Sequence, residues 1–183
     1  MIVAGDISLR SSGLTALDME GNLRICEIVA SKKEDLDDEN LLIHNAQRVV
    51  DFIKDARKLG KIEGIVFEGL SFMSVSGDKD KLYGNLWHMR CEVRKAFPDI
   101  PMGVVPVTTW RSKALSKEEQ RYWKAQGKDG LKLGVVDKLP ADVKLVFEEH
   151  LVYKGMKQLK SKNPMFDLAD SYFLAKYRLG LES

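Results

Sequence analysis

Four acidic residues stand where a carboxylate is costly: Asp6 inside the apolar opening segment, Glu68 directly after Ile65-Val66-Phe67, and Asp167 with Asp170 in an amphipathic C-terminal stretch. An ionised carboxylate withdrawn from water is strongly destabilising unless a cation or dense hydrogen bonding compensates it. Four of them at core-facing positions point to a shared metal. Oxygen ligands without His or Cys select Mg²⁺, with Mn²⁺ as a substitute, over zinc, and two such ions about 4 Å apart can flank a phosphodiester. One ion then lowers the pKa of an attacking water while the other stabilises the leaving oxygen. Paired acids also serve glycosidases, but an aromatic content of 8% gives little support for a sugar-binding groove.

The elements that must position these acids can be read from periodicity. Residues 2–9 alternate as a strand, with Ile2, Ala4 and Asp6 on one face, so Asp6 emerges near the strand end. Apolar runs at 14–19 and 23–29 are joined by Glu20-Gly21-Asn22, a hairpin composition, which gives three antiparallel strands. An acidic linker over 32–39 leads to Leu42, Ala46, Val49, Ile53 and Ala56, whose steps of three and four predict an amphipathic helix ending at Gly60. Residues 62–68 form a short apolar strand, expected to pair parallel to the first and to bring Glu68 beside Asp6.

Beyond it, 69–80 reads as a loop carrying Phe72, Met73 and Val75, and 81–97 as a helix stopped by Pro98 and Pro101 before a strand over 102–107. Helices are predicted over 116–125, opened by the capping pattern Ser-Lys-Glu-Glu, and over 141–150. Residues 154–163 read as a mobile basic loop. Pro164 opens the last helix, with Phe166, Ala169, Asp170, Phe173 and Tyr177 on one face and Asp167 at the i, i+3 spacing from Asp170. The expected fold is α/β: a mixed five-stranded sheet, three antiparallel strands then two parallel, with helices on both faces.

At 183 residues and 44% apolar content, the chain fits one domain spanning 1–183. The opening segment is too short for a signal peptide and no apolar run reaches the ~18 residues of a membrane span, so a soluble intracellular protein is expected. Cys26 and Cys91 are far apart and lack a CxxC pattern, and both are expected to be reduced and buried. His44, His88 and His150 are scattered and read as structural or surface residues, and Trp110 and Trp123 as core or loop anchors. Residues 111–132 hold seven Lys/Arg and three acids, and 154–162 hold four Lys and no acid, a net of +8 that leaves −6 for the remainder of a chain of net +2. Such a basic surface on an acidic body suits a polyanion partner.

The segments GDISLRSSG, IVFEGLSF, VPVTTWRSKALSK and DLADSYFLAKY, in this order, resemble the RuvC-like Holliday junction resolvases of the RNase H-like superfamily. The resemblance covers most of the chain and is weakest over 122–160. It implies an RNase H-like nuclease domain that cuts four-way DNA junctions to leave 5′-phosphate and 3′-hydroxyl ends. Asp6 is then the first-strand carboxylate bridging two Mg²⁺ ions, Glu68 the second-strand ligand, and Asp167 and Asp170 the helical pair. An assisting lysine falls at Lys113, with Arg111 and Lys128 behind it. A base-stacking wedge falls on Phe72 or Met73, one residue later than the bacterial spacing, and Lys157 and Lys160 join the DNA contacts. Symmetric cutting implies a homodimer, formed through the helix at 81–97 or that at 41–59. The implied setting is the cytoplasm of a bacterium or phage-infected cell, with an organelle as the alternative, and the altered spacing points to a phage. The same site would serve an RNA or RNA/DNA-hybrid nuclease equally well, and a junction-binding module without catalysis is the reading from a different class.

Overall fold

The computed structural model describes residues 1–30, 38–69, 79–156 and 164–181. Its sheet is built from β1 (Ile2–Asp6), β2 (Ser11–Leu17), β3 (Leu23–Ala30), β4 (Gly64–Gly69) and β5 (Met102–Pro106), in the order β3-β2-β1-β4-β5. The β1–β2 and β2–β3 pairs are antiparallel, and β1–β4 and β4–β5 are parallel. Seven helices surround it among the described residues: α1 (Asp38–Leu59), α2 (Lys79–Ala96), α3 (Val107–Ala114), α4 (Lys117–Ala125), α5 (Gly130–Asp137), α6 (Ala141–Tyr153) and α7 (Pro164–Leu179).

Side-chain alternation divides the interior into two cores. Val3 and Ile7 of the first strand and its turn, Leu14, Ala16, Ile65 and Phe67 point to α1 and α2, where Val49, Ile53, Met89 and Val93 meet them. Ile2, Ala4, Leu17 and Val66 point the other way, onto α7 and the helices behind it. Because the strand period is two, Asp6 follows Ile2 and Ala4 to the α7 face, and Glu68 follows Val66 to the same face. A slip of one residue in either strand would send its acid into the opposite core.

The last helix departs from the sequence expectation of one apolar face. From Leu168 to Ala175 every residue of α7 is buried, because α3, α5 and α6 cover the side turned from the sheet. Two of those covering helices differ from the sequence expectation. The strand expected over 102–107 ends one residue early, because Pro106 turns the chain into α3 at Val107, and Trp110 and Ala114 of that helix are buried. Gly130 and Gly134 hide α5 from a propensity reading; Gly134 is required there, since a Cβ would lie 2.5 Å from the Trp123 ring. Cys91, expected to be buried, is exposed on α2, while Cys26 is buried. Lys154 does not belong to a free basic loop: it ends α6 in ion pairs with Glu27 at 2.8 Å. Phe72, Met73, Val75, Lys157 and Lys160 lie outside the described residues. No helix among the described residues is long and apolar enough to cross a membrane.

Candidate active site

Parallel register sets Gly5 of β1 beside Phe67 of β4, so Asp6 and Glu68 are the next residues along two neighbouring strands. Across the antiparallel pair, Asp6 faces Gly13 of β2. Any side chain at Gly13 would strike the Asp167 carbonyl of α7. The glycine therefore admits the first turn of α7 against the sheet, and with it Asp167 and Asp170 beside Asp6. All four acids predicted from sequence come together, and Asp6 feels the charge of each of the other three.

Glu68, Asp167 and Asp170 are each held by a donor. Ser11, two residues before Gly13 and hence on the same face, donates its hydroxyl to Asp167 Oδ2 at 2.5 Å. The Trp110 indole N–H donates to Glu68 Oε2 at 2.9 Å. Arg111 donates to Asp170 Oδ2 at 3.0 Å while its guanidinium lies 4.9 Å from the Trp110 ring centroid. Asp170 is 1% exposed, and its Oδ1 is buried without a hydrogen-bond partner among the described residues. The turn after Asp6 is fixed in its own right: Asn85 and Asn45, buried on α2 and α1, donate to the Ser8 and Leu9 carbonyls at 3.0 and 3.1 Å.

Crowding of like charges in a desolvated site shows in the titration of the acids. Burial, then Glu68, Asp167 and Asp170, push the Asp6 carboxyl well above its ordinary range. Burial and the Asp170 charge raise Glu68 to about 7, against the opposing pull of Arg111, Trp110 and Lys132. Burial raises Asp167 to about 6, moderated by Ser11 and Lys132, and Asp170 is raised by burial against Arg111 and Lys132.

The lysine facing the acids is Lys132 of α5, which the sequence motifs do not single out. Burial alone would lower its pKa, but Asp170, Asp6, Asp167 and Glu68 together outweigh that and hold its ammonium above the ordinary value. Lys113 and Lys128, the lysines favoured from sequence, are exposed on α3 and in the turn before α5, whereas Arg111 reaches the cluster through Asp170. A signal for Lys132 is present in the chain: it is the sole charge in Leu131-Lys132-Leu133-Gly134-Val135-Val136. As the side chains stand, no three His, Cys, Asp or Glu groups among the described residues converge as a metal-ligand set.

No family model matches the chain, and no curated protein does. Among solved structures it is similar to RuvC of Thermus thermophilus, with a TM-score of 0.59 at 15% identity over 100% of this chain and 98% of that one. This chain has the RuvC fold. A second structure of T. thermophilus RuvC, in complex with a Holliday junction substrate, is similar with a TM-score of 0.56 at 14% identity, covering 100% of this chain and 97% of that one. The likeness gives an RNase H-like fold, and the mixed sheet of this chain, three antiparallel strands followed by parallel pairs, is the one expected from sequence.

Proposed function

We propose that this RuvC-fold chain is a Holliday junction resolvase, a structure-selective endodeoxyribonuclease that hydrolyses phosphodiesters in four-way DNA. The observation that carries the reading is the meeting of Asp6, Glu68, Asp167 and Asp170 on one face of the sheet. It is supported by a fold likeness to a protein solved with a Holliday junction.

The residues fit a divalent cation. All four acids offer hard oxygen, Asp170 Oδ1 is buried without a partner among the described residues, and the raised carboxyls are those that a bound cation would return to the ionised form. Asp6, Glu68, Asp167 and Asp170 would hold two Mg²⁺ ions, or Mn²⁺ in their place. Bound there, the metal supplies Lewis acidity for activating water and stabilising the leaving oxygen. The chain supplies orientation and charge: Trp110 and Ser11 aim Glu68 and Asp167, and Arg111 and Lys132 are the cations placed to meet a phosphate brought to the acids.

Symmetric cleavage of a four-way junction needs two such sites, and we assign the protein a homodimer for that reason. Incubation of synthetic four-way junctions with the protein and Mg²⁺ tests the reading. Paired nicks across the junction are expected, abolished by Asp6→Asn and by Asp170→Asn. Cleavage that survives both substitutions overturns the mechanism, and cleavage that requires 2′-hydroxyls moves the substrate to RNA.

A further inference from the structure

Helix α4 stands on the protein without burying a single residue. Its local order is nonetheless strongly specified. Ser116 and Glu119 form a complete capping box, and Lys138 pairs with Glu119 at 2.5 Å. Trp123 lies in a cradle whose walls are Gly130 and Gly134, where any Cβ would collide with it. These attachments lie on one side of the helix. At 3.6 residues per turn, Lys117, Arg121 and Lys124 fall within about 60° of one another on the side away from Glu119 and Trp123. All three are exposed, and Lys128 continues the series beyond the turn at Gly127, which has φ 109°.

A solvated helix face is the ordinary explanation of such a ridge, and the rest of the molecule argues against it. Lys54 and Lys58 of α1 and Lys95 of α2 are each paired with an acid one turn away. Glu118 lies one turn before Arg121, yet among the described residues neither it nor any other acid forms an ion pair with Lys117, Arg121, Lys124 or Lys128. Their ammonium and guanidinium groups stay outside any ion pair on a helix whose capping box and glycine cradle hold it in place.

We propose that this ridge of α4 grips the phosphate backbone of a DNA arm flanking the cut, a reading that rests on the nuclease function above. From Lys117 to Lys124 the ridge rises about 10 Å along the helix, the length of about three base-pair steps. Its position suits an arm rather than the scissile phosphate. Helix α5 lies between α4 and the acid-bearing α7 and presents Lys132 to the carboxylates. At usual interhelical spacings that sets the ridge on the order of 20 Å from the acids.

The test is equilibrium binding of a four-way junction in chelator, across a salt series, for the wild type and the triple variant Lys117→Ala/Arg121→Ala/Lys124→Ala. Each lost phosphate contact removes about 0.9 from the slope of log affinity against log salt, so the triple variant is expected to be shallower by about 2 to 3. Its thermal melt is expected to match the wild type, since none of the three side chains is buried. Lys54→Ala/Lys58→Ala/Lys95→Ala, which removes the same three charges, serves as the control for net charge and is expected to keep the wild-type slope. A triple variant with wild-type slope, or an equal loss in the control, overturns the ridge and leaves the nuclease reading intact. Failure of the wild type to bind junctions at all overturns both.

Discussion

Gly13 and Asp167 touch across 154 positions of sequence: the Asp167 carbonyl occupies the space that a side chain on residue 13 would need. Since Gly13 is also the cross-strand partner of Asp6, this contact decides how close α7 comes to β1. Gly13→Ala must push α7 off the sheet, an overpacking expected to cost about 1–3 kcal/mol or more and to abolish junction cleavage. Gly103→Ala, on β5 where an added methyl would meet nothing within 4 Å, is the matched control and is expected to stay within about 0.5 kcal/mol of the wild type. Chemical denaturation of the two variants checks the contrast; equal stability for both means that α7 can shift at little cost.

Trp110 combines a core role with a polar one. It is fully buried, and its only indole N–H goes to Glu68 Oε2. Trp110→Phe keeps most of the packing and removes the donor, a hydrogen bond to a charged acceptor worth about 1.5–3 kcal/mol. The Glu68 carboxyl is then expected to rise above about 7, because one of the groups lowering it has gone. The acid limb of the pH–rate profile should move upward with it. An unchanged profile with normal stability would show that Trp110 acts on the core alone.

What the sequence discloses and what it hides follow from the range of the interactions involved. Asp6 and Glu68 are legible because strand alternation is local: Ile2, Ala4 and Val66 announce the face on which each acid lies. Asp167 and Asp170 are legible through helical spacing. Lys132 is hidden because α5 exists by tertiary contact, its two glycines being poor helix formers that survive only because Trp123 packs on them. Lys113 draws the eye by lying next to a recognisable motif, yet α3 turns it to the surface. Ser11 resembles any polar residue of a strand edge, and only the approach of α7 gives it a partner.

Glu68 at about 7 and Asp167 at about 6 titrate above ordinary carboxyls near 4. Between those limits the native state holds more protons than the unfolded chain. Stability from this site is therefore greatest at low pH and falls as pH rises from about 4 through about 7. In chelator, Glu68→Gln is expected to raise Tm at pH 8 and to leave it nearly unchanged at pH 5, since the wild-type acid is already neutral there. Mn²⁺ at pH 8 is expected to raise the wild-type Tm more than that of the variant. Melting curves at the two pH values read both effects, and a Glu68→Gln effect of equal size at pH 5 and pH 8 contradicts the account.

Lys132 makes the sharpest claim, because it competes with a lysine that sequence alone prefers. Its ammonium is held above the ordinary pKa by the four acids, so its favourable contribution is present at neutral pH and is lost only as pH climbs through that raised value. Lys132→Met leaves the acids with Arg111 as their remaining cation and is expected to cost about 1–3 kcal/mol at pH 8, less than stranding a fully buried charge because the side chain keeps some contact with water. At pH 5, below the raised values of about 7 for Glu68 and about 6 for Asp167, these two acids carry less charge and the cost should shrink. Cleavage is expected to fall at least tenfold, since a phosphate brought to the acids loses one of its two nearby cations. Lys113→Met, exposed on α3, is expected to change stability little at either pH. If Lys113→Met costs more cleavage than Lys132→Met, the assisting cation comes from α3, and the placement of α5 over the acids serves packing alone.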